Sequence, residues 1–506
     1  MLNVIDAFLN RTTMFRLLTY YLGMLLGAAA AFSLLGIMQY DVVDLLASAG
    51  FLVAVAWLSN YVFSRLWKVP TNIESSIITG LILSLIITPD KPDQQLFFLA
   101  FAAIFAIGSK YLLAIRGKHV FNPAAFGVAM TALVLGRSAS WWVAGNLALL
   151  TFVLAGGILI VRKTHRTDLV LSYIVATLLA SIAYKLSDPA AVWSTLQTTV
   201  LHTSLLFFAF VMITEPLTTP PRRLQRIAYG AIVGVLSAPW VHIGSFYFTP
   251  ELALLAGNIF SYGVSPTFKS LLRFSGARKL AADTYEFVFE GPVPHFTPGQ
   301  YAEFTIGTDR ADNRGNRRYF TLASSPTEHD IKLGIKFYAD SSTFKSLLAR
   351  FTRGDHLLAG SIAGDFVLPR DERKKLVFVA GGIGITPFRS IIKYLIDTHQ
   401  RRDIILFYSN KTEAEIAYRD IFDEAQRLGI GLRVIYTLTG EQVPTSWNGE
   451  RGYVDEAMIR RFVPDFADRY YYVSGPHAMV ESFSRVLSAM GVSRVRMHKD
   501  FFPGFV

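Results

Sequence analysis

Ten apolar runs fill the first 266 residues of this chain, and they decide what that part can fold into. They lie at about residues 17–38, 45–64, 73–88, 95–115, 121–136, 141–161, 168–186, 198–214, 225–242 and 250–265. A helix that crosses a bilayer needs roughly 20 mainly apolar residues. The pattern therefore predicts ten transmembrane helices, of which the third, fifth, eighth and tenth are short. Cations gather in alternate loops. Arg11 and Arg16 precede the first run, Arg65 and Lys68 follow the second, and Arg116 and Lys118 follow the fourth. Arg162, Lys163 and Arg166 follow the sixth, and Arg222, Arg223 and Arg226 follow the eighth. The opposite loops hold Asp41, Asp90, Asp93 and Asp188. Ten spans with this alternation place both termini on the cation-rich, cytoplasmic side of a cell (inner or plasma) membrane.

Charge separates the two halves. Residues 1–266 hold 16 Lys/Arg and 10 Asp/Glu, while residues 267–506 hold 33 and 28, an ordinary soluble composition. The net charge of +11 raises the question of nucleic acid. Many cations of the first half sit in short loops, where they set orientation, so the partner expected is membrane lipid and not nucleic acid. The chain has no cysteine, which excludes disulfides and a Cys-ligated iron–sulfur cluster held by this chain. The start, M-L-N-V-I-D, has no basic region of the signal-peptide kind.

The third and eighth runs invite comparison. Both are short, rich in Ser or Thr, and carry a lone carboxylate, Glu74 in one and Glu215 in the other. They fall at matching positions of a five-plus-five arrangement, and an odd number of spans per half inverts the second repeat. Paired interrupted segments in inverted repeats point to a site near the membrane midplane. Glu74 and Glu215 are thus the candidates for ion coupling, against the plainer reading of two solvated interfacial carboxylates.

Three stretches carry a family resemblance: T-G-L-I-L-S-L-I-I-T-P (79–89), G-K-H-V-F-N-P-A-A-F-G (117–127) and M-I-T-E-P-L-T-T-P (212–220). They resemble the membrane subunits RnfD and NqrB of ion-translocating ferredoxin:NAD and NADH:quinone oxidoreductases. The resemblance implies a ten-helix electron carrier that holds flavin. That family commonly esterifies a flavin phosphate to Thr in an S-G-A-T stretch upstream of the third motif. Here the acceptor position falls on Leu205, which has no hydroxyl. The expectation is a non-covalent FMN or riboflavin near Asn122 and Pro123 or the two short spans.

From about Phe268 the pattern changes to short alternating runs, Y-E-F-V-F-E, Y-A-E-F-T-I, R-Y-F-T-L-A and I-K-L-G-I-K-F-Y, which predict a small antiparallel barrel. After Lys374 strands alternate with helices: K-L-V-F-V-A, a helix near Pro387, D-I-I-L-F-Y, a helix over 413–428, L-R-V-I-Y-T-L and R-Y-Y-Y-V-S-G-P. That order predicts a doubly wound parallel sheet. Between its first strand and helix lies A-G-G-I-G-I-T-P. Pro387 stands where a Gly-x-Gly-x-x-Gly fingerprint needs glycine. Gly381, Gly382 and Gly384 still let backbone amides approach a pyrophosphate, and Pro387 suits a first helical turn. A purely structural strand–helix turn fits the loop alone equally well. The expected architecture is thus multidomain: a polytopic α-helical membrane domain (1–266), an antiparallel β-barrel (267–372) and an α/β doubly wound nucleotide-binding domain (373–506).

R-Y-F-T-L-A-S-S-P, G-D-F-V-L-P, A-G-G-I-G-I-T-P-F, Y-S-N, V-S-G-P and K-D-F-F-P-G-F occur in order over about 270–506 and resemble the ferredoxin–NADP reductase superfamily. The resemblance implies an FAD barrel followed by an NAD(P)H domain. Arg318 would pair with the FAD pyrophosphate, a guanidinium fork against two anionic oxygens. Tyr319 and Phe320 would line the flavin, and Thr321 would hydrogen-bond near its N5. Ser342 and Thr343 would meet the same phosphates, and Gly364, Asp365 and Phe366 would complete the cofactor site. Gly381, Gly382, Gly384, Thr386 and Pro387 would take the nucleotide pyrophosphate, and Ser409 and Lys411 the adenosine ribose. Ser474, Gly475 and Pro476 would lie beside the nicotinamide, and Phe501 or Phe502 would cover the isoalloxazine.

The sequence thus reads as a membrane NAD(P)H oxidoreductase. Electrons would pass from NAD(P)H through FAD to a membrane flavin or quinone, or to another redox protein. Further membrane or iron–sulfur subunits, and coupled Na+ or H+ movement, accompany that reading. Two alternatives stand beside it. One is a haem-containing reductase of the ferric-reductase or NADPH-oxidase kind, for which only His202 and His242 lie in spans. The other is a transporter with a regulatory reductase domain.

Overall fold

The computed structural model describes residues 5, 8–9, 12–67, 73–89, 92–115, 118–238, 240–244, 246–265, 269–292, 295–308, 316–338 and 341–500. The chain divides into two compact units, Met1–Phe268 and Lys269–Val506.

The first unit is helical. Its main helices are α1 (Met14–Leu34), α2 (Val42–Trp67), α3 (Ile73–Ile86), α4 (Pro92–Leu112), α5 (Pro123–Leu135), α6 (Leu147–Thr164), α7 (Thr167–Tyr184), α8 (Pro189–Leu201), α9 (Arg223–Leu236) and α10 (Pro250–Val264). Each apolar run overlaps one of them, although the eighth shares only residues 198–201 with α8. Among the described residues, however, only α1, α2, α4, α6 and α7 are long and apolar enough to cross a membrane. α8 joins them only if it is counted together with Leu205–Met212, from which it is bent by 54°. Several helices, α6 included, begin or end inside their apolar runs at identifiable features. The sixth run begins as a helix only at Leu147, because Trp141 adopts a positive φ and the Asn146 side chain caps the helix start. The ninth ends at Leu236 and gives way to a hairpin, His242–Ile243 with Phe246–Tyr247. In the eighth, Phe208–Met212 forms a π-helical turn after the bend.

α3 ends inside the protein, and its last carbonyls find partners there. The amides of Ser140 and Trp141 donate to Ile86 O (2.9 Å each), and the Val143 amide donates to Leu85 O (3.4 Å). The Trp142 indole Nε1 donates to Ser84 O (3.0 Å). A non-helical segment thus completes a helix end that water would otherwise have to satisfy.

Small residues set the helix contacts. A Cβ on Gly127 of α5 would lie 2.4 Å from Ala102 O of α4. On Gly234 of α9 it would lie 2.6 Å from Tyr173 O of α7, and on Gly156 of α6 it would meet the Tyr21 ring of α1 at 2.0 Å. Such close approach is how helices associate where no hydrophobic force acts between them. Gly127→Ala is expected to destabilise the solubilised protein by about 1–3 kcal/mol, the usual cost of overpacking. Gly23→Ala, where nothing lies within 4 Å of the added Cβ, is the control and should leave thermal unfolding in detergent unchanged.

The second unit holds two six-stranded sheets. The first comprises β1 (Ser270–Ala281), β2 (Thr284–Glu290), β3 (Tyr301–Thr305), β4 (Arg317–Thr321), β5 (Ile331–Lys336) and β6 (His356–Ala363). It is antiparallel throughout, in the order β4-β3-β6-β1-β2-β5. Its two edges meet where the Ala323 amide donates to Lys332 O (2.9 Å), so the sheet curls on itself. Alternate residues of each strand point inward, Phe287 and Phe289 on β2 and Leu333 and Ile335 on β5 among them.

The second sheet is parallel, with β7 (Leu376–Gly381), β8 (Ile404–Asn410), β9 (Leu432–Leu438), β10 (Glu450–Arg451), β11 (Tyr470–Ser474) and β12 (Met497–Asp500). Its order is β10-β9-β8-β7-β11-β12. The helices of this unit are α11 (Thr343–Leu348), which follows β5, and α12 (Thr386–Asp397), α13 (Arg419–Arg427), α14 (Glu456–Phe462) and α15 (His477–Ala489), which follow strands of the parallel sheet. The expected helix over 413–428 is broken at Tyr418, which takes a positive φ of 59° and starts α13.

Candidate functional site

In the parallel sheet the strand order reverses between β7 and β11. Open α/β sheets bind ligands outside the carboxyl ends of the strands at such a switch point. Gly381 is in register with Ser409, and Ser474 with both Ala380 and Asp500, so these positions form two adjacent rows at that edge. After β7 the chain makes a tight 3-10 turn, Gly382–Ile385, and enters α12 at Thr386 with Pro387 in the first turn.

The glycines of this turn serve two purposes. A Cβ on Gly384 would lie 2.4 Å from Ser474 O and 2.6 Å from the Gly475 Cα, and one on Gly381 would meet Met479 Sδ at 2.4 Å. Gly384 therefore lets this loop pack backbone to backbone on Ser474 and Gly475, and Gly381 leaves room for the Met479 side chain. Only Gly382, with φ of 52° and open space around it, matches the expectation of backbone bared to a ligand. The Thr386 hydroxyl donates to Ile383 O within the turn (3.1 Å). Ser474 is fully buried, and its Oγ has no hydrogen-bond partner among the described residues.

β4 arranges the second group of predicted residues. Arg318 and Thr321 are buried, Phe320 is half-buried and Tyr319 is exposed. The Arg318 guanidinium lies over the Phe344 ring at 5.7 Å, and Phe320 packs on the same ring at 5.7 Å. Tyr319 Oη donates to Glu303 Oε2 (2.9 Å), which turns it along the strand face. The Thr321 Oγ1 has no partner among the described residues. Ser342 caps the short helix Thr343–Leu348, its Oγ accepting from the Lys345 amide (3.4 Å). Gly364 (φ of 113°) and Phe366 are docked on the 299–301 turn: Gln300 Nε2 donates to Gly364 O (3.1 Å), and Phe366 packs on Phe388 of α12 (5.4 Å). Asp365 lies between them. Ser409 lies in one of the two edge rows, and Lys411 is exposed just beyond β8. Phe501 and Phe502 lie outside the described residues.

The sequence reading missed two features of this unit. His498 stacks on Tyr472 (4.5 Å), and burial pulls its imidazole down; burial pushes the neighbouring Asp500 carboxyl up to about 7. The other is an ion cluster. Arg389 of α12 forks onto Glu328, with Nη2 to Oε1 at 3.0 Å and Nη1 to Oε2, and Nη1 also donates to Ala323 O (2.9 Å). Lys332 Nζ and the Ser325 amide complete the carboxylate shell at 2.6 and 2.7 Å. Burial alone would push the Glu328 carboxyl up. The Arg389 hydrogen bonds and charge, with Lys332 and the Ser325 amide, override it and hold it at about 2.

In the membrane unit Glu74 and Glu215 belong to separate sets. Glu74 is two-fifths exposed and pairs with Arg16 (3.2 Å). Glu215 accepts from Asn122 Nδ2 (2.8 Å) and the Thr218 hydroxyl (3.2 Å), and lies 3.4 Å from His119 Nε2. Asn122 caps α5, accepting from the Ala125 amide, and Pro123 takes the first helical position. The Asn122 amide donates to Asn258 Oδ1 (2.8 Å), and Asn258 Nδ2 to Tyr229 Oη (2.9 Å). Lys110, not singled out in the sequence, donates to Ser75 O, Ser75 Oγ and Thr79 Oγ1 at 3.0–3.2 Å. A lone lysine inside an apolar run was the signal for it.

The barrel, the switch-point loops and the helical unit together define an FAD- and NAD(P)-binding oxidoreductase module joined to a membrane helix bundle. Residues 131–269 match the NQR2, RnfD, RnfE family, and residues 378–485 match the oxidoreductase NAD-binding domain. The two matches fall in different parts of the chain, the first in the helical unit up to Lys269 and the second in the parallel-sheet part. It is similar to a glycine betaine monooxygenase reductase subunit of Chromohalobacter salexigens, 26% identical over 43% of this chain and 60% of that protein. A flavohemoprotein of Bacillus subtilis is 24% identical over 42% of this chain and 52% of its own length. The chain thus spans only half to three-fifths of these relatives. Among solved structures, the Amycolatopsis cytochrome P450 reductase GcoB matches 47% of this chain and 72% of its own at 22% identity, with a TM-score of 0.43.

The donor set fits FAD and a nicotinamide nucleotide. Two buried hydroxyls without partners among the described residues, Thr321 Oγ1 and Ser474 Oγ, terminate the two strands to which the flavin and nicotinamide roles would fall. Buried hydroxyls of this kind call for a hydrogen-bond partner.

Two outcomes follow from this geometry. Gly384→Ala drives a methyl into the Ser474 carbonyl and should raise the KM for nucleotide at least about tenfold in a dye-reduction assay, since small misplacements near a reacting centre cost rate steeply. The depressed Glu328 carboxyl contributes stability that is complete above its unfolded value of 4.5 and is lost as pH falls through about 2. That contribution is about 3 kcal/mol at neutral pH, and about 2 kcal/mol of it is gone near pH 3. The gap in urea stability between wild type and Glu328→Gln should therefore narrow between about pH 5 and about pH 3.

Proposed function

We propose that the protein is a membrane NAD(P)H oxidoreductase that passes electrons from the nucleotide through FAD to a membrane flavin or quinone. The observation that carries this reading is the switch point between β7 and β11, where Gly382 and Ser474 stand at the carboxyl edge. It belongs to the same compact unit as the barrel strand that carries Arg318 and Thr321. Arg318, with Ser342 and Thr343, would hold the FAD pyrophosphate. Phe320 would pack on the ring, and Thr321 Oγ1 would hydrogen-bond at its edge. Gly382 and the first turn of α12 would take the nucleotide pyrophosphate. Ser409 and Lys411 would meet the adenosine ribose, and Ser474–Pro476 the nicotinamide. Bound FAD accepts two electrons together from NAD(P)H and releases them singly, which suits a one-electron carrier. The chain's own part is placement: buried hydroxyls orient the two rings, and the packed loops around Gly384 exclude water between them.

In this reading residues 1–266 form the membrane domain, 267–372 the FAD barrel and 373–506 the nucleotide domain. That domain is read as a ten-span bundle built of two inverted five-helix repeats, with termini and nucleotide domain cytoplasmic; the alternation of cations between the loops of the apolar runs supports it. A second, non-covalent flavin, FMN or riboflavin, sits near Asn122 and Pro123. Glu215 and Glu74 are the carboxylates for Na+ or H+ coupling. A redox protein, or further membrane or iron–sulfur subunits, serves as partner where quinone does not.

Acid release and identification of flavins from the detergent-purified chain, with spectra before and after NADH and NADPH, test the reading. The expected result is FAD that bleaches with nucleotide, beside a second flavin. Arg318→Ala should lose the FAD and keep the second flavin. A protein without FAD, or whose FAD stays oxidised with both nucleotides, overturns the proposal. So does a haem absorption band that shifts on reduction.

A further inference from the structure

We propose that Arg389 is a positioning residue that fixes the flavin strand against the nucleotide loop, and so sets the spacing of the two rings between which electrons pass. The inference rests on the oxidoreductase reading above. It concerns a residue that touches neither cofactor nor nucleotide in that reading.

The two groups that must be held are Thr321, at the end of β4, and the turn Gly382–Ile385 before α12. Ala323 lies two residues after Thr321, and Arg389 lies three residues after Thr386. The bond from Arg389 Nη1 to Ala323 O (2.9 Å) is thus a direct tie between the segment leaving one group and the helix leaving the other. A second tie runs beside it: Ser390 Oγ donates to Ser324 O (2.7 Å). Arg389, Ser390, Ser324 and Ser325 are all buried, so water does not compete for these bonds.

Glu328 makes the tie directional. Its two oxygens take the guanidinium fork, and its own position is fixed by the Ser325 amide and by Lys332 of β5. A bidentate arginine–carboxylate pair defines orientation as well as distance. The other face of the guanidinium lies 5.7 Å from the Tyr418 ring. Tyr418 holds a positive φ of 59°, a strained conformation for a tyrosine, and packs so closely on β5 that a Cβ on Gly334 would meet its hydroxyl at 2.8 Å. The guanidinium is therefore gripped from the barrel side by Glu328 and Ala323, and from the nucleotide side by Tyr418. An ordinary surface ion pair needs none of this. Lysine in its place keeps the charge but not the fork.

The test uses the full chain with FAD bound and ferricyanide as acceptor, so that the membrane route does not enter. NADH is the reductant: it is oxidised to NAD+ while FAD takes up the same two electrons. Stopped-flow mixing gives the limiting rate of FAD reduction and the nucleotide Kd separately. In Arg389→Lys and Glu328→Gln the limiting rate is expected to fall at least about tenfold, while FAD content and the NAD+ Kd stay within about twofold. The double variant should be no slower than the worse single one, as for residues that act as a unit. Independently of activity, amide hydrogen exchange of the FAD-free chain should quicken in both 321–325 and 382–388 in either variant. Arg389→Ala extends the series, and if it fails to fold the two milder variants decide. Unchanged limiting rates, or a rate that falls only in proportion to lost FAD, overturn the proposal. A wild type that neither nucleotide reduces overturns instead the function on which it rests.

Discussion

A backbone carbonyl or amide without water must find its partner in the protein, and the membrane unit is arranged around that constraint. α3 stops at Ile86, inside the bundle, with nine of its fourteen residues buried. Its final carbonyls would each cost about 1–3 kcal/mol if left alone. Ser140–Val143 supply the missing donors, and in doing so they cannot themselves be helical. The late start of α6 is therefore the other half of the early stop of α3. Asn122 plays the same part at the start of α5, where its side chain caps one amide and its own amide is taken by Asn258. Polar side chains in this unit serve first to end helices where the lipid would not allow it.

A related constraint governs the nucleotide side. Two loops from neighbouring strands, Gly381–Ile385 and Ser474–Pro476, occupy one edge of the sheet. They reach backbone contact because Gly384 lacks a Cβ, while Gly381 makes room for the Met479 side chain behind them. Close packing leaves the hydroxyl of Ser474 buried and Gly382 open. The site is thus formed by what the glycines permit on one side and withhold on the other. The ion cluster around Arg389 then joins this edge to the barrel, where no single strand runs through both.

Strand and helix periodicity made most of this architecture legible. Period-two runs located four of the barrel strands, and alternating strand and helix segments located the parallel sheet. Two barrel strands, Ser270–Ala281 and His356–Ala363, escaped notice, the first because a bulge near Gly276 breaks its alternation. Helix ends were the least legible. A carbonyl capped by a segment 54 residues away, as Ile86 is by Ser140, leaves no local mark. The motif residues of the candidate site were named through the resemblance that their order and spacing carry. The residues that tie the site together were not, since Arg389 and Glu328 are 61 positions apart and each looks like a solvated charge in its own neighbourhood.

The two carboxylates of the short spans show where positional symmetry stops being chemical symmetry. Glu74 faces solvent for two-fifths of its surface and meets one arginine, an arrangement worth little and open to ions from bulk. Glu215 meets an amide, a hydroxyl and an imidazole, and its partner Asn122 leads through Asn258 to Tyr229 on a third helix. A change of charge at Glu215 bears on donors linked across α5, α9 and α10, whereas the partner of Glu74 among the described residues is Arg16 of α1. Coupling between electron transfer and a mobile cation requires an element with two arrangements that both events bias. Of the two carboxylates proposed for coupling, Glu215 has the wider set of partners among the described residues.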